Sequence, residues 1–283
     1  RLLNRMGIVT IRIGIFTPPR IGHVAMNTEC YLCERAAGMH PAKTLDVWTV
    51  RLRHANAYYH KMLSRVLRVD QTRFAGLVHL CNTLFKGWET YVAESQQLDR
   101  DIYNLLERFP PSISFTAAEE RRGEKTLHDW GVHGQFVCLM VRDAAYLSHM
   151  PQFSYHDFRD ADIDTYEEAA LYLARRGYHV LRMGAKVAKP FRAKHPRIID
   201  YATNGMRSEF MDIYLGAKCK FAMSTSTGWD AIPQVFRRPI CYTNFPQWEY
   251  MPTWQRGSLA IWKHLEKDGK CLTIAEMAES KAG

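Results

Sequence analysis

Phe136-Val-Cys-Leu-Met-Val-Arg142-Asp143 is the stretch that decides the fold. Apolar residues run on without polar alternation until Arg142, as a strand buried on both faces requires, and such strands belong to parallel sheets. Further along, Asp164-Thr-Tyr-Glu167 has the capping-box spacing that opens a helix, and Gly177 closes it. Residues 178–183 form the next strand, ended by Gly184, and Ser208 caps a helix reaching to about 217. A third strand is expected at 220–224, a short helix at 229–236 and a fourth strand at 239–243. Strands and helices alternating at this spacing predict a Rossmann-like domain.

Toward the N-terminus the pattern is looser. Residues 131–134 read as a linker, and Thr116-Ala-Ala-Glu119 as a capping box opening a helix to about 130. Residues 55–108 look mostly helical, and 44–51 looks like a strand. Residues 8–16, rich in isoleucine, form another strand. A Pro/Gly loop at 17–22 follows, then a helix from 26 to 37 with Gly38 as its stop. The expected organisation is α/β throughout. It comprises an N-terminal domain over 1–133 and a C-terminal nucleotide-binding domain over 134–283, whose last segment could pack back on the first.

The net charge of +9 in 283 residues suits an anionic partner. A long Lys/Arg block, zinc-finger spacing and a basic helix with interleaved aromatics are all missing, so nucleic acid is not expected. No apolar run approaches the roughly 20 residues that span a bilayer, and the basic opening at 1–5 leads into no signal-peptide core. Seven cysteines are scattered through apolar stretches and read as reduced core residues of a cytoplasmic protein. Cys30 and Cys33, the one C-x-x-C, fall inside a helix and are read as packing.

In an open parallel sheet, ligands bind beyond the carboxyl ends of the strands. There the sequence places Arg142-Asp143, Arg182-Met-Gly184, Ser224-Thr225-Ser226-Thr227-Gly228 and Asn244. Two arginine forks and a hydroxyl-rich turn entering a helix suit a diphosphate. Asp160 and Asp162 lie in an Asp-x-Asp run that fails the calcium-loop pattern, with Thr165 at its glycine position and Leu171 at its glutamate position. No metal and no cofactor are expected. These two aspartates order Arg159 or contact sugar hydroxyls. In the N-terminal domain, Gly22 and His23 follow the first strand, with Asn27 and Glu29 beyond. His23 or Glu29 could take a proton from an acceptor hydroxyl.

Ile21-Gly-His-Val-Ala-Met-Asn-Thr-Glu29, Val141-Arg-Asp143-Ala-Ala-Tyr146, Tyr155-His-Asp-Phe-Arg-Asp160, Ile199-Asp-Tyr-Ala202, Asp212-Ile-Tyr-Leu-Gly-Ala217 and Phe236-Arg-Arg-Pro239 resemble a family of bacterial glycosyltransferases. The resemblance runs from about residue 11 to 282. It implies two Rossmann-like domains facing a cleft, the GT-B-type architecture. It also implies sugar transfer from a nucleotide-sugar donor to a glycan or lipid-linked acceptor in surface polysaccharide or lipopolysaccharide assembly. More distantly, Val141-Arg142 and Ser224–Thr227 resemble phosphate-contacting motifs of the fucosyltransferase superfamily, with Met140 where that superfamily has histidine.

Together these give donor contacts at Gly22, Asp143, Arg182, Gly184 and 224–228, and catalytic roles at His23, Glu29 and Arg142. Asn27, Tyr146, Asp160 and Asp162 are expected to contact acceptor or sugar. An epimerase or hydrolase of nucleotide sugars, or a non-catalytic carbohydrate- or nucleotide-binding protein, fits the same pattern. Trp248-Glu-Tyr250 and Trp254 leave two readings: peripheral docking on an anionic inner leaflet, or packing of the C-terminal segment, which is preferred.

Overall fold

The computed structural model describes residues 1–16, 20–50, 54–146, 158–245, 251–252 and 254–280. The chain divides into two compact units, Arg1–Thr116 and Ala117–Gly283.

In the first unit the elements run α1 (Leu2–Arg5), β1 (Thr10–Ile15), α2 (Ile21–Ala36), β2 (Thr44–Thr49), α3 (Ala57–Leu63), β3 (Val69–Asp70), α4 (Phe74–Asn82), a 3-10 turn at Trp88–Tyr91 and α5 (Leu105–Arg108). The three strands form a parallel sheet in the order β1-β2-β3. Arg12 and Asp46 are register partners on β1 and β2, and their side chains form a bidentate pair at 2.7 Å for both bonds. The Tyr31 hydroxyl donates to the same carboxylate from α2. Burial raises the cost of both charges, yet the arginine and tyrosine bonds keep the Asp46 carboxyl below its ordinary range.

The stretch 55–108 is less helical than its sequence suggests. Residues 92–104 form a coil held by carboxylates: Glu34 accepts from Ser95 Oγ (2.8 Å) and Gln96 N (3.0 Å), and Asp101 accepts from the N–H groups of Leu105 and Leu106, both at 2.7 Å. Helix α2 begins at Ile21, earlier than read, and therefore carries Gly22 and His23 in its first turn.

The second unit contains α6 (Ala117–Asp129), β4 (Phe136–Met140), 3-10 turns at Ala144–Tyr146 and Ile163–Tyr166, α7 (Glu167–Arg175), β5 (His179–Met183), β6 (Ile198–Ile199), α8 (Glu209–Lys218) and β7 (Phe221–Ser224). A 3-10 turn at Gly228–Asp230, α9 (Ala231–Val235), β8 (Ile240–Phe245), β9 (Leu259–Trp262), the hairpin β10 (Glu266–Lys267) and β11 (Lys270–Cys271), and α10 (Ile274–Ser280) follow. Six strands pair in parallel in the order β6-β5-β4-β7-β8-β9. Counted from β4, this is the 3-2-1-4-5-6 order of dinucleotide-binding sheets. One face packs on α7 through Leu139, Val180, Ile163, Tyr166 and Ala170. Helices α8 and α9 approach closely at Gly216, where a Cβ would come within 2.8 Å of Ile232.

Helix α6 falls in the second unit, so the division comes ahead of the sequence boundary at 133/134. The cause is local: Glu120 accepts from Lys218 Nζ at 2.6 Å, and Gly123 lies under the Tyr214 ring, where a Cβ would meet Cζ at 2.2 Å. Tyr214 is braced by Phe210 at 5.4 Å between centroids. Gly123→Ala is therefore expected to destabilise the protein by about 1–3 kcal/mol through overpacking, although alanine is the better helix former by about 1 kcal/mol. Urea unfolding measures the sign; a stabilised variant would show that α6 is not seated on Tyr214.

Asp164 does not cap the helix that ends before Gly177. That helix, α7, starts at Glu167 with Tyr166 at its N-cap and no side-chain cap bond, and the capped element is the preceding 163–166 turn. The cap of the turn is Asp162, whose carboxylate accepts from Asp164 N at 2.9 Å, while Asp164 pairs with Lys189 at 2.6 Å. Ser208 caps α8 as read, accepting from Met211 N. All seven cysteines are free thiols; Cys30, Cys33, Cys138 and Cys219 are buried, whereas Cys81 and Cys271 are exposed, against the core reading.

Candidate functional site

The strand order of the second unit reverses between β4 and β7, so the switch point where open α/β sheets bind ligands lies at their carboxyl ends. Arg142 and the 224–228 turn meet there. Thr225 N donates to Met140 O at 3.1 Å, and Arg142 N donates to Thr225 Oγ1 at 2.8 Å, which ties the two strand ends together. Ser226 adopts φ +64°, a left-handed conformation costly for a side-chain-bearing residue. It is held there by the Arg159 guanidinium, which donates to Ser226 O.

Beneath the turn lies Asp230, buried, accepting from Ser224 Oγ (2.6 Å), Thr227 N (2.8 Å) and Thr227 Oγ1 (3.1 Å). The expected row of four hydroxyls is thus divided. Ser224 and Thr225 are buried and bonded within the protein, and the Thr227 hydroxyl is bonded to Asp230. Ser226 is half-buried, its Oγ accepting from the Arg159 guanidinium at 3.3 Å, and Gly228 is exposed. The helical segment beyond is short, 228–235, which limits the dipole it can offer a ligand.

Burial pushes the Asp230 carboxyl up to about 6, against the pull of its hydrogen bonds and of Arg159. The sign follows directly. Between an ordinary aspartate pKa of about 4 and about 6, the folded protein retains a proton that the unfolded chain has lost. This group's stabilising contribution is complete at low pH and is lost as pH rises through about 6, an effect on the order of 3 kcal/mol. Urea unfolding near pH 5 and near pH 7.5 should show that component in the wild type and lose it in Asp230→Asn. Equal pH dependence in the two proteins would contradict it.

Arg142 stands at the rim with its side chain 16% exposed, its Nε bonded to Asp160 Oδ1 at 2.9 Å. Lys263, just past β9, donates to the carbonyls of Phe158 and Asp160, both at 2.8 Å, and fixes that strap. Near the carboxyl end of β8, Tyr166 OH bonds Thr243 Oγ1 (2.9 Å) and receives a bond from Asn244 Nδ2 (3.0 Å).

Arg182 is not on the rim. It is fully buried on β5, 3.2 Å from Asp200 and 3.9 Å from Asp143. Asp143 in turn accepts from the N–H groups of Ala145 and Ala188, both at 2.9 Å, and Asp200 from Phe191 N at 2.8 Å. These three side chains clamp the loops leaving β4, β5 and β6. Gly184 turns one of those loops at φ +156°, where a Cβ would strike Val187 at 2.5 Å. Asp162 bonds Lys189 at 2.6 Å. Tyr146 ends a 3-10 turn, and its side chain lies outside the described residues, as do residues 155–157.

In the first unit, His23 Nδ1 lies 2.8 Å from Asp99 Oδ2, both side chains about two-fifths exposed. The bond from His23 is the main reason the Asp99 carboxyl sits below its ordinary range. Gly22 and Asn27 lie on the same helix, half-buried. Glu29 is only 1% exposed, and its carboxylate accepts from Ser112 N at 3.1 Å. That buried bond makes Glu29 a brace for the 112 loop, not a base open to an acceptor. Asp99, Asp230 and Lys263 have no place in the sequence reading, whereas Arg159 does, as a partner of Asp160 and Asp162; here it holds the Ser226 carbonyl. Of the three, only Asp230 carries a signal, the Thr227-Gly-Trp-Asp230 capping box.

Neither a protein-family model nor a curated protein matches the sequence. Among the solved structures that resemble the chain are two with TM-scores above 0.5. One is the E. coli ADP-heptose LPS heptosyltransferase II, with 14% identity and TM-score 0.54 over 92% of this chain and 92% of that one. The other is a glycosyl transferase family 9 protein from Veillonella parvula DSM 2008, with 13% identity and TM-score 0.54 over 97% and 96%. Likeness at this identity speaks to the fold, which is the α/β, parallel-sheet fold of GT-B-type glycosyltransferases. Neither structure is a fucosyltransferase, so nothing here supports the distant resemblance to that superfamily.

Proposed function

We propose that the chain is a glycosyltransferase that moves a sugar from a nucleoside-diphosphate donor to a glycan or lipid-linked glycan of a bacterial surface polysaccharide, of lipopolysaccharide type, without a metal ion. The observation that carries this reading is the switch-point rim, where Arg142 stands beside the 226–228 turn. A cation with a planar donor fork suits the phosphate on which negative charge develops as the sugar–oxygen bond breaks. His23 accepts the proton of the attacking acceptor hydroxyl, and Asp99 holds its imidazole in orientation. The bond from the sugar carbon to the phosphate oxygen breaks with its electron pair on the phosphate. The new bond forms to the acceptor oxygen, whose proton passes to His23. Asp143, Arg182 and Gly184 support the donor loops, and Asp160 orients Arg142.

The two structural relatives act in systems named for ADP-heptose and for glycosyl transfer, which makes ADP the first nucleotide to try. Titration calorimetry of the whole protein with ADP, UDP, GDP and CDP, each with magnesium and with chelator, tests the reading. Binding of one nucleotide, unaffected by chelator, is expected. Failure of all four to bind would refute the donor site.

A further inference from the structure

Residues 73–87 read Arg-Phe-Ala-Gly-Leu-Val-His-Leu-Cys-Asn-Thr-Leu-Phe-Lys-Gly, with no acidic residue among them. A helix lying on a sheet ordinarily turns its large apolar side chains inward. In α4 the small residues face the sheet instead: Ala75 is buried and Gly76 lies by Thr49. Phe74 is 67% exposed, Leu77 62%, Leu84 82% and Phe85 57%. Cations mark both ends of this face, with exposed Arg73 at one and Lys86 at the other. Arg1 bonds Asn82 Oδ1 (2.9 Å) and covers the Phe85 ring at 4.9 Å, which brings α1 and its exposed Leu2 beside the same face.

We propose that this face docks the protein on an anionic lipid surface, with Phe74, Leu77, Leu84 and Phe85 entering the acyl boundary. Arg1, Arg73 and Lys86 then lie at headgroup depth. The charge pattern selects this occupant. A second copy docked on the same patch about a twofold axis would set the cations of residues 73–87 against one another. The acids nearest in sequence lie outside the stretch: Asp70, bonded to Thr72 and to Ala75 N, and Glu89. A convex, protruding apolar helix needs a yielding apolar phase, which an acyl boundary supplies without a matching groove. Among the described residues, no helix is long and apolar enough to cross a membrane. The aromatics first considered for docking do not carry it: Trp254 is 9% exposed, and Trp248 and Tyr250 lie outside the described residues. This inference does not depend on the chemistry proposed for the site.

The experiment is co-sedimentation of the full chain with vesicles of phosphatidylcholine alone and of phosphatidylcholine with phosphatidylglycerol. The wild type should bind the anionic vesicles and stay largely in solution with the neutral ones. Leu77→Asp with Phe85→Asp should lower that binding at least about tenfold, because two insertion residues leave the boundary. Both positions are exposed, so the melting temperature should hold. Arg73→Glu with Lys86→Glu should remove the preference for anionic vesicles. Failure of the wild type to sediment, or unchanged binding by the Asp variant, would overturn the proposal. So would a dimer in sedimentation velocity that the Asp variant converts to monomer, because the face would then belong to a second copy.

Discussion

Arg142→Ala should slow donor turnover by about 10²–10³-fold, the usual loss when one preorganised donor to a developing charge is removed. The main chain at this position is fixed independently of the side chain, through Arg142 N to Thr225 Oγ1 and Thr225 N to Met140 O. The variant should therefore keep its far-UV circular dichroism and unfold nearly as the wild type does. Loss of the Asp160 partner costs little, because both side chains retain solvent contact. Arg142→Lys keeps the charge but loses the planar fork, and should recover only part of the rate. Steady-state release of nucleoside diphosphate measures all three proteins; near-normal turnover in Arg142→Ala would remove Arg142 from the site.

The second large effect is expected at His23. His23→Ala should lower kcat by about 10²–10⁴-fold, the span of a lost general base, while nucleotide affinity stays close to that of the wild type. Asp99→Asn should lower kcat by less, because it leaves the imidazole in place and removes only the carboxylate that orients it. The His23 bond holds Asp99 below its ordinary pKa. The pair's contribution is therefore present above the unfolded value of about 3.9 and lost as pH falls through the lower folded one. An acid-side change in unfolding that is absent from Asp99→Asn would reveal this coupling. Equal kcat for His23→Ala and wild type would assign proton acceptance to another group.

The second sheet was legible because parallel strands are covered on both faces, so β4, β5 and β7 read as apolar runs bounded by helix caps and glycines. Two strands escaped that logic. Ile198–Ile199 is too short for any period, and Leu259–Trp262 is an edge strand with alternate residues exposed. At the site, position along a strand was readable but burial was not. Arg142 lies two residues past β4 and Arg182 one residue inside the end of β5, yet one reaches the rim and the other lies wholly buried beside Asp143 and Asp200. In the sequence His23 and Glu29 are both candidate bases because they follow the first strand, with only Glu29 placed in the helix. With its start at Ile21, residues six apart fall on different faces, and Glu29 turns inward. Asp99 could not have been found, since no periodicity links it to a histidine so far away in the chain.

Glycosyl transfer itself is the claim most in need of a direct reading. The whole protein should be incubated with a panel of nucleotide sugars, ADP-linked sugars included, with and without glycolipid extracted from bacteria blocked early in surface-polysaccharide assembly. Released nucleoside diphosphate and glycolipid mass would be followed together. Release should require the glycolipid, be matched by a gain of one sugar, and fall by about 10²–10⁴-fold in His23→Ala. Release at the same rate without glycolipid, with no gain in mass, would contradict glycosyl transfer and identify a hydrolase of nucleotide sugars instead.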